Sequence, residues 1–249
     1  MLLRPGRFFA RVEDVVAWRW PLLVFLTAGT LIGYATVQTG LIDREVDRRV
    51  GERIARIDSE QHDVVELSAL RDLYEKERKR GEFEKLLTRI RVVVAEPAKA
   101  LAWVLLIAAV LYGVVALTGR KPEWHTLLTI CVFAAFIDVL RLLMTLGLML
   151  RYGTLQVDTS LALLSRFLAA ADGVDPMTVA ALSGLLSALD PFRVWFWLVV
   201  IVGLSTTDQL RGWRAWVACS LCWLVAAAAR CAVAVAAVRS LAGAAATKG

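Results

Sequence analysis

Long apolar runs alternate with short charged turns along this chain, and one stretch breaks the alternation. The runs cover Pro21 to Ile42, Ala98 to Leu117, about Leu127 to Leu150, Phe192 to Thr207, and about Trp213 to Val238. An α-helix of about 20 apolar residues crosses a hydrocarbon core of about 30 Å. The pattern therefore predicts an all-α membrane protein with a bundle of about five transmembrane helices. Pro97, Asp190 and Pro191 punctuate it: proline suits the first helical turn, and aspartate suits the cap before it.

The exception runs from Asp43 to Glu96, between the first two spans, and is crowded with charge of both signs. Val46, Val50, Ile54 and Ile57, then Leu67, Leu70, Leu73 and Tyr74, then Leu86, Leu87 and Ile90 recur at helical spacing. That spacing predicts two amphipathic helices with a turn at Asp58 to Asp63, and Gly81 as a bend or interruption in the second. Leu67, Leu70, Tyr74 and Leu86 are the candidate partner-binding residues of this hairpin.

The tract Arg151 to Asp190 holds two apolar stretches, Leu161 to Ala170 and Thr178 to Leu189, each too short to cross comfortably. They read as interfacial or re-entrant helices within residues 158–189. The segment Met1 to Arg19 alternates arginines with Phe8, Phe9, Val12 and Val15, the pattern of a helix lying in the headgroup region. No small-residue cleavage site follows the first run, which reads as a retained signal anchor. Residues 1–42 thus form one region, 43–96 the charged hairpin, 97–240 a four-helix region, and 241–249 a small-residue flexible tail.

Apolar residues make up 58% of the 249, above the roughly 45–50% usual for soluble proteins. The net charge of +6 then needs no nucleic-acid partner: arginines that set topology and meet anionic lipid account for it. With the amino terminus in the cytoplasm, Arg4, Arg7, Arg11, Arg19, Arg120, Lys121, Arg211 and Arg214 lie inside. The hairpin then lies outside, and membrane lipids are the first expected partner.

Candidate chemistry is sparse. His62 and His125, the only histidines, fall in different regions, too far apart for a metal cluster or a relay. All four cysteines lie in apolar runs, including the Cys219-x-x-Cys222 pair, which is inside a span. No glycine-rich phosphate loop occurs, and Ser183 and Ser220 lack a base. No catalytic residue, metal site or cofactor is expected. The notable polar groups are Asp138, Arg141 and Arg230, placed inside spans where a charge costs about 2.5–3.5 kcal/mol on insertion scales. Asp138 and Arg141, three apart, share a helical face. Asp138 is expected to be shared with Arg230 across the third and fifth spans, fixing helix register.

The ordered segments Val157-Asp-Thr159-Ser160-Leu-Ala-Leu-Leu164, Leu185-Leu-Ser-Ala-Leu-Asp190-Pro-Phe192-Arg-Val-Trp195 and Ile201-Val-Gly203-Leu204 resemble the Yip domain family, the Ypt/Rab-interacting membrane proteins and their bacterial relatives. The turn Gly119-Arg-Lys with Trp124 fits as well. The resemblance covers Ala98 to Val238, and the long charged hairpin departs from the family pattern. It implies a bacterial inner-membrane protein without catalytic activity. It also implies an accessory subunit assisting an ATP-binding-cassette exporter with a periplasmic adaptor, in contact with other membrane or periplasmic subunits. Two alternatives stand beside it: a transporter using Asp138, Arg141 and Arg230, or a membrane-shaping, lipid-organising scaffold.

Overall fold

The computed structural model describes residues 9, 18–61, 67–155, 178–179, 181–182, 185–186 and 189–246. The described elements are helical: α1 (Arg19–Gln38), α2 (Leu41–Gln61), α3 (Leu67–Ile90), a π-helical turn (Arg91–Ala95), α4 (Glu96–Leu117), α5 (Trp124–Tyr152), α6 (Pro191–Thr206) and α7 (Trp213–Ala246). Four stretches are long and apolar enough to cross a membrane: Arg19–Gln38, the apolar end of the continuous helix Leu70–Leu117, Trp124–Tyr152 and Trp213–Val238. The fourth expected span, now α6, has 16 residues and falls short of that length. The helix α7 runs to Ala246, through the small residues where composition predicts a tail. The expected amino-terminal interfacial helix is described only at Phe9 and from Trp18 onward. In the 158–189 tract only a few helical residues between Thr178 and Leu186 are described, so the two short helices lie outside the described residues.

The chain divides into two compact units. The first contains Met1–Phe25, Ala102–Arg141 and Asp158–Gly249. Its centre is α5, where Leu127, Leu128, Thr129, Ile130, Cys131 and Val132 are all buried. Over Thr126 to Val139, where most residues are buried, the helix needs no polar face. An aromatic chain ties the amino-terminal part to α5: Phe9 meets Phe133 edge-on at 6.4 Å, Phe133 stacks on Phe136 at 6.3 Å, and Phe25 meets Phe136 edge-on at 6.2 Å.

The second unit contains Leu26–Leu101 and Leu142–Val157. The first span ends earlier than its composition predicts. Gly40 adopts φ +68°, a left-handed conformation natural to glycine, and Leu41 and Ile42 begin α2 instead of ending α1. Their apolarity serves the hairpin: Ile42, Val46 and Val50 form its core with Val37, Ile54, Val92 and Leu155 packed around them. Ion pairs join α2 to α3, with Asp43–Arg89 at 2.6 Å, Asp47–Lys85 at 2.8 Å, and Arg53 to Glu77 and Glu84 at 3.1 Å each. Exposed pairs contribute little singly, but this ladder permits one register. Gly81 interrupts nothing. It is buried in a continuous helix, and a Cβ there would lie 2.6 Å from Val50 Cγ2. The residue permits close approach of α2.

Between α3 and α4 the chain does not turn. The N–H of Glu96 bonds to the carbonyl of Arg91, the i to i−5 pattern of a π-turn, and the helix continues. Here α1 packs against the chain at two glycines. A Cβ on Gly33 would sit 2.6 Å from the Val92 carbonyl oxygen, and one on Gly29 would sit 3.8 Å from Pro97 Cγ.

Candidate functional site

The polar constellation of the first unit lies where α6 begins. Asp190 has extended backbone angles, φ −72° and ψ 126°, and caps α6. Its Oδ1 accepts from the Phe192 N–H at 3.0 Å, and Pro191 occupies the first turn, where a missing N–H costs nothing. The other oxygen, Oδ2, faces Arg141 Nη1 of α5 at 3.8 Å. Arg141 Nε lies 3.4 Å from Asp138 Oδ1 on the same helix. Asp190 is 2% exposed. One guanidinium therefore lies between two carboxylates, one of which also starts the next helix.

This arrangement extends the sequence expectation and relocates its emphasis. Asp138 and Arg141 are paired, as their spacing requires. The side chain of Arg230 lies outside the described residues, and so does its expected pairing with Asp138. The partner that sequence reasoning missed is Asp190. Its capping role is legible in Asp190-Pro191, but its approach to Arg141, on a helix far earlier in the chain, leaves no mark on local pattern.

A groove beside this cluster is lined by Trp103, Asp138, Arg193, Phe196, Trp197 and Trp223 with two alanines of α7, Ala226 and Ala227. Its volume is about 20 Å³. That admits a water molecule and is far too small for an organic substrate.

At the opposite end of α6 the turn that precedes α5 is stitched to the turn between α6 and α7. Arg120 donates to the Asp208 carbonyl, the Glu123 N–H donates to Gln209 Oε1 at 3.3 Å, and Thr126 Oγ1 donates to Glu123 Oε2 at 2.9 Å. Arg211 pairs with the Asp208 carboxylate, and its hydrogen bond holds that carboxyl below the ordinary range. Gln209 is buried at 7% exposure, which its hydrogen bond accounts for.

The remaining motif residues divide. Thr159 and Ser160 lie outside the described residues. Phe192 and Trp195 are half-buried in the first turns of α6. Gly203 is buried against α5, and a Cβ on it would come 2.6 Å from Ile130 Cγ2. Of the hairpin residues, Leu67's side chain is not described, and Leu70 is half-buried. Tyr74 donates its hydroxyl to Asp58 Oδ1 at 3.0 Å and so serves the hairpin itself. Leu86 is 53% exposed. Among the described residues no group of His, Cys, Asp and Glu could hold a metal ion.

The Yip1 domain matches residues 1–233. The chain belongs to the Yip1 domain family. No curated protein and no solved structure matches it. The match begins at residue 1, wider than the resemblance read from Ala98 onward, so α1 and the charged hairpin fall within the matched Yip1 region. With its apolar helices, this Yip1 domain protein is a multi-pass membrane protein. In this Yip1 domain Asp190 caps a helix and faces an arginine, and Gly203 permits close helix packing.

Proposed function

We propose that the protein is a non-catalytic scaffold that serves as an accessory subunit of a membrane transport complex. Its site is the bacterial inner membrane, with the amino terminus inside and the hairpin outside. The observation that carries this reading is the unbroken helix from Leu70 to Leu117. It joins the ion-paired hairpin to an apolar span through continuous helical structure, by way of the π-turn, and not through a loop. Arg120, Lys121, Arg211 and Arg214 at the other end of the spans support the orientation. The finer assignment, assistance to an ATP-binding-cassette exporter with a periplasmic adaptor, rests on the bacterial subtype that the sequence resembles.

Residue-specific crosslinking from exposed hairpin positions such as Arg56 and Arg78, in native membranes, tests the reading. Mild-detergent purification and mass spectrometry would follow. Envelope transport subunits should be recovered through the hairpin. A protein that stays solitary under these conditions refutes the assignment. The small groove at Asp138 gives the alternative reading, a permease, no support of its own.

A further inference from the structure

One face of α3 is out of keeping with a charged hairpin standing in water. Phe83, Leu86, Leu87, Ile90 and Val94 are 50–61% exposed. At about 100° per residue they share one stripe, opposite the face that Gly81, Glu84 and Lys85 present to α2. Soluble surfaces seldom carry so continuous an apolar strip. Most charges along the same length turn away from it, while the exposed Arg91 pairs with Glu96 at 3.5 Å along its own helix. Glu84 pairs with Arg53 at 3.1 Å, Lys85 with Asp47 at 2.8 Å, and Arg89 with Asp43 at 2.6 Å, all across the hairpin. Glu82, at the stripe's edge, pairs with Lys85 at 3.0 Å.

The packing of α1 shows what covers the stripe. Gly33 lies against Val92 and Gly29 against Pro97, so α1 runs antiparallel to the π-turn. Extending that register by five residues brings Gln38, the end of an apolar membrane-crossing helix, level with about Thr88. Ile90 and Val94 then lie at the depth of α1's apolar end. Phe83, Leu86 and Leu87 lie within about 8 Å beyond it, at 1.5 Å per residue. Further along the sequence, Leu105 and Leu106 of α4 are exposed apolar side chains as well. Above Phe83 the same face changes abruptly to Lys76, Lys79 and Arg80, all exposed. Long basic side chains one to two turns beyond an apolar band are placed to meet lipid phosphate.

We propose that the face of α3 from Phe83 to Val94 is immersed in the lipid leaflet on the hairpin's side of the membrane, with Lys76, Lys79 and Arg80 at headgroup level. The membrane boundary on this helix thus lies some three turns before Glu96, where the composition changes. The extra apolar length is taken up by the interfacial zone or by tilt. This assignment stands whether or not the hairpin's other faces bind a protein.

The test places the photoreactive residue p-benzoylphenylalanine at Phe83, Leu87 or Val94 of the full chain in cell membranes. Leu106 is the lipid-facing control and Arg56 of α2 the water-facing one. Irradiation should give phospholipid-mass adducts at all three stripe positions and at Leu106, and none at Arg56. Protein adducts at the stripe, whether to another polypeptide or to a second copy, would overturn the proposal. So would the absence of any adduct there when Leu106 is labelled.

Discussion

Replacing Gly203 with alanine tests the packing of α6 on α5 most directly. The new Cβ would lie 2.6 Å from Ile130 Cγ2 and 3.1 Å from Cγ1. Carbon atoms are most favourable at about 3.5–4.0 Å, so the overlap approaches 1 Å. Ile130 has no exposed surface and is flanked by buried Thr129 and Cys131, so it has little room to move. Overpacking of this kind costs about 1–3 kcal/mol. Alanine returns about 0.8–1 kcal/mol through its better helix propensity. The two effects leave a net loss of up to about 2 kcal/mol, lowering the unfolding midpoint by up to about 8 °C.

Cys131 and Cys219 are buried, so a thiol-reactive fluorophore in a thermal scan of the detergent-solubilised protein reports opening of this unit. The packing also predicts non-additivity. Ile130→Ala alone should cost about 2–5 kcal/mol. With Gly203→Ala the new methyl enters the vacated space, so the double variant should be about 1–2 kcal/mol more stable than the sum of the singles. Gly113→Ala is the control, since nothing lies within 4 Å of its Cβ. A Gly203→Ala protein that melts above the parent temperature, or strictly additive effects in the double variant, would refute the contact.

The same packing and electrostatics lead to further outcomes. Asp190→Ala should lower the midpoint more than Asp190→Asn, because asparagine keeps the cap on Phe192, worth about 0.5–2 kcal/mol; equal losses would leave the cap without effect. Gly33→Ala should destabilise more than Gly203→Ala, because the nearest atom, 2.6 Å away, is the Val92 carbonyl oxygen and no rotamer change relieves it; a milder loss in the same scan would contradict this. Glu45 is held down to about 2 from 4.5, first by its hydrogen bond from Arg48 and also by Arg49. Its stabilisation is fully present above about pH 4.5 and lost as pH falls through about 2. Acid titration of helicity should show a loss in that window that Glu45→Gln lacks.

Much of this fold is legible in the sequence because membrane helices announce themselves by length and apolarity, and Asp190-Pro191 marks the start of α6 to the residue. The errors share a physical cause. Leu41 and Ile42 are apolar whether they face lipid or a helical partner, so composition could not show that Gly40 ends the span before them. Gly81 and Gly203 read as breaks or weak motifs because a glycine's packing role depends on what lies opposite, here Val50 and Ile130. The approach of Arg141 to Asp190 needed three-dimensional proximity that no periodicity encodes. Conversely, the apolar residues of α3 were visible, but their opposition to the α2-facing side emerged only with the register of the hairpin.

The π-turn at Arg91–Ala95 gives this architecture a mechanical property. A π-turn holds about one residue more than the α-turn it replaces, so it resets the angular phase of everything that follows. The outward direction of Phe83 is thereby set against that of α4 by a single inserted position. A torsion applied to the hairpin has no loop in which to dissipate before the apolar helix. The bulge is the place along this lever where the phase can slip.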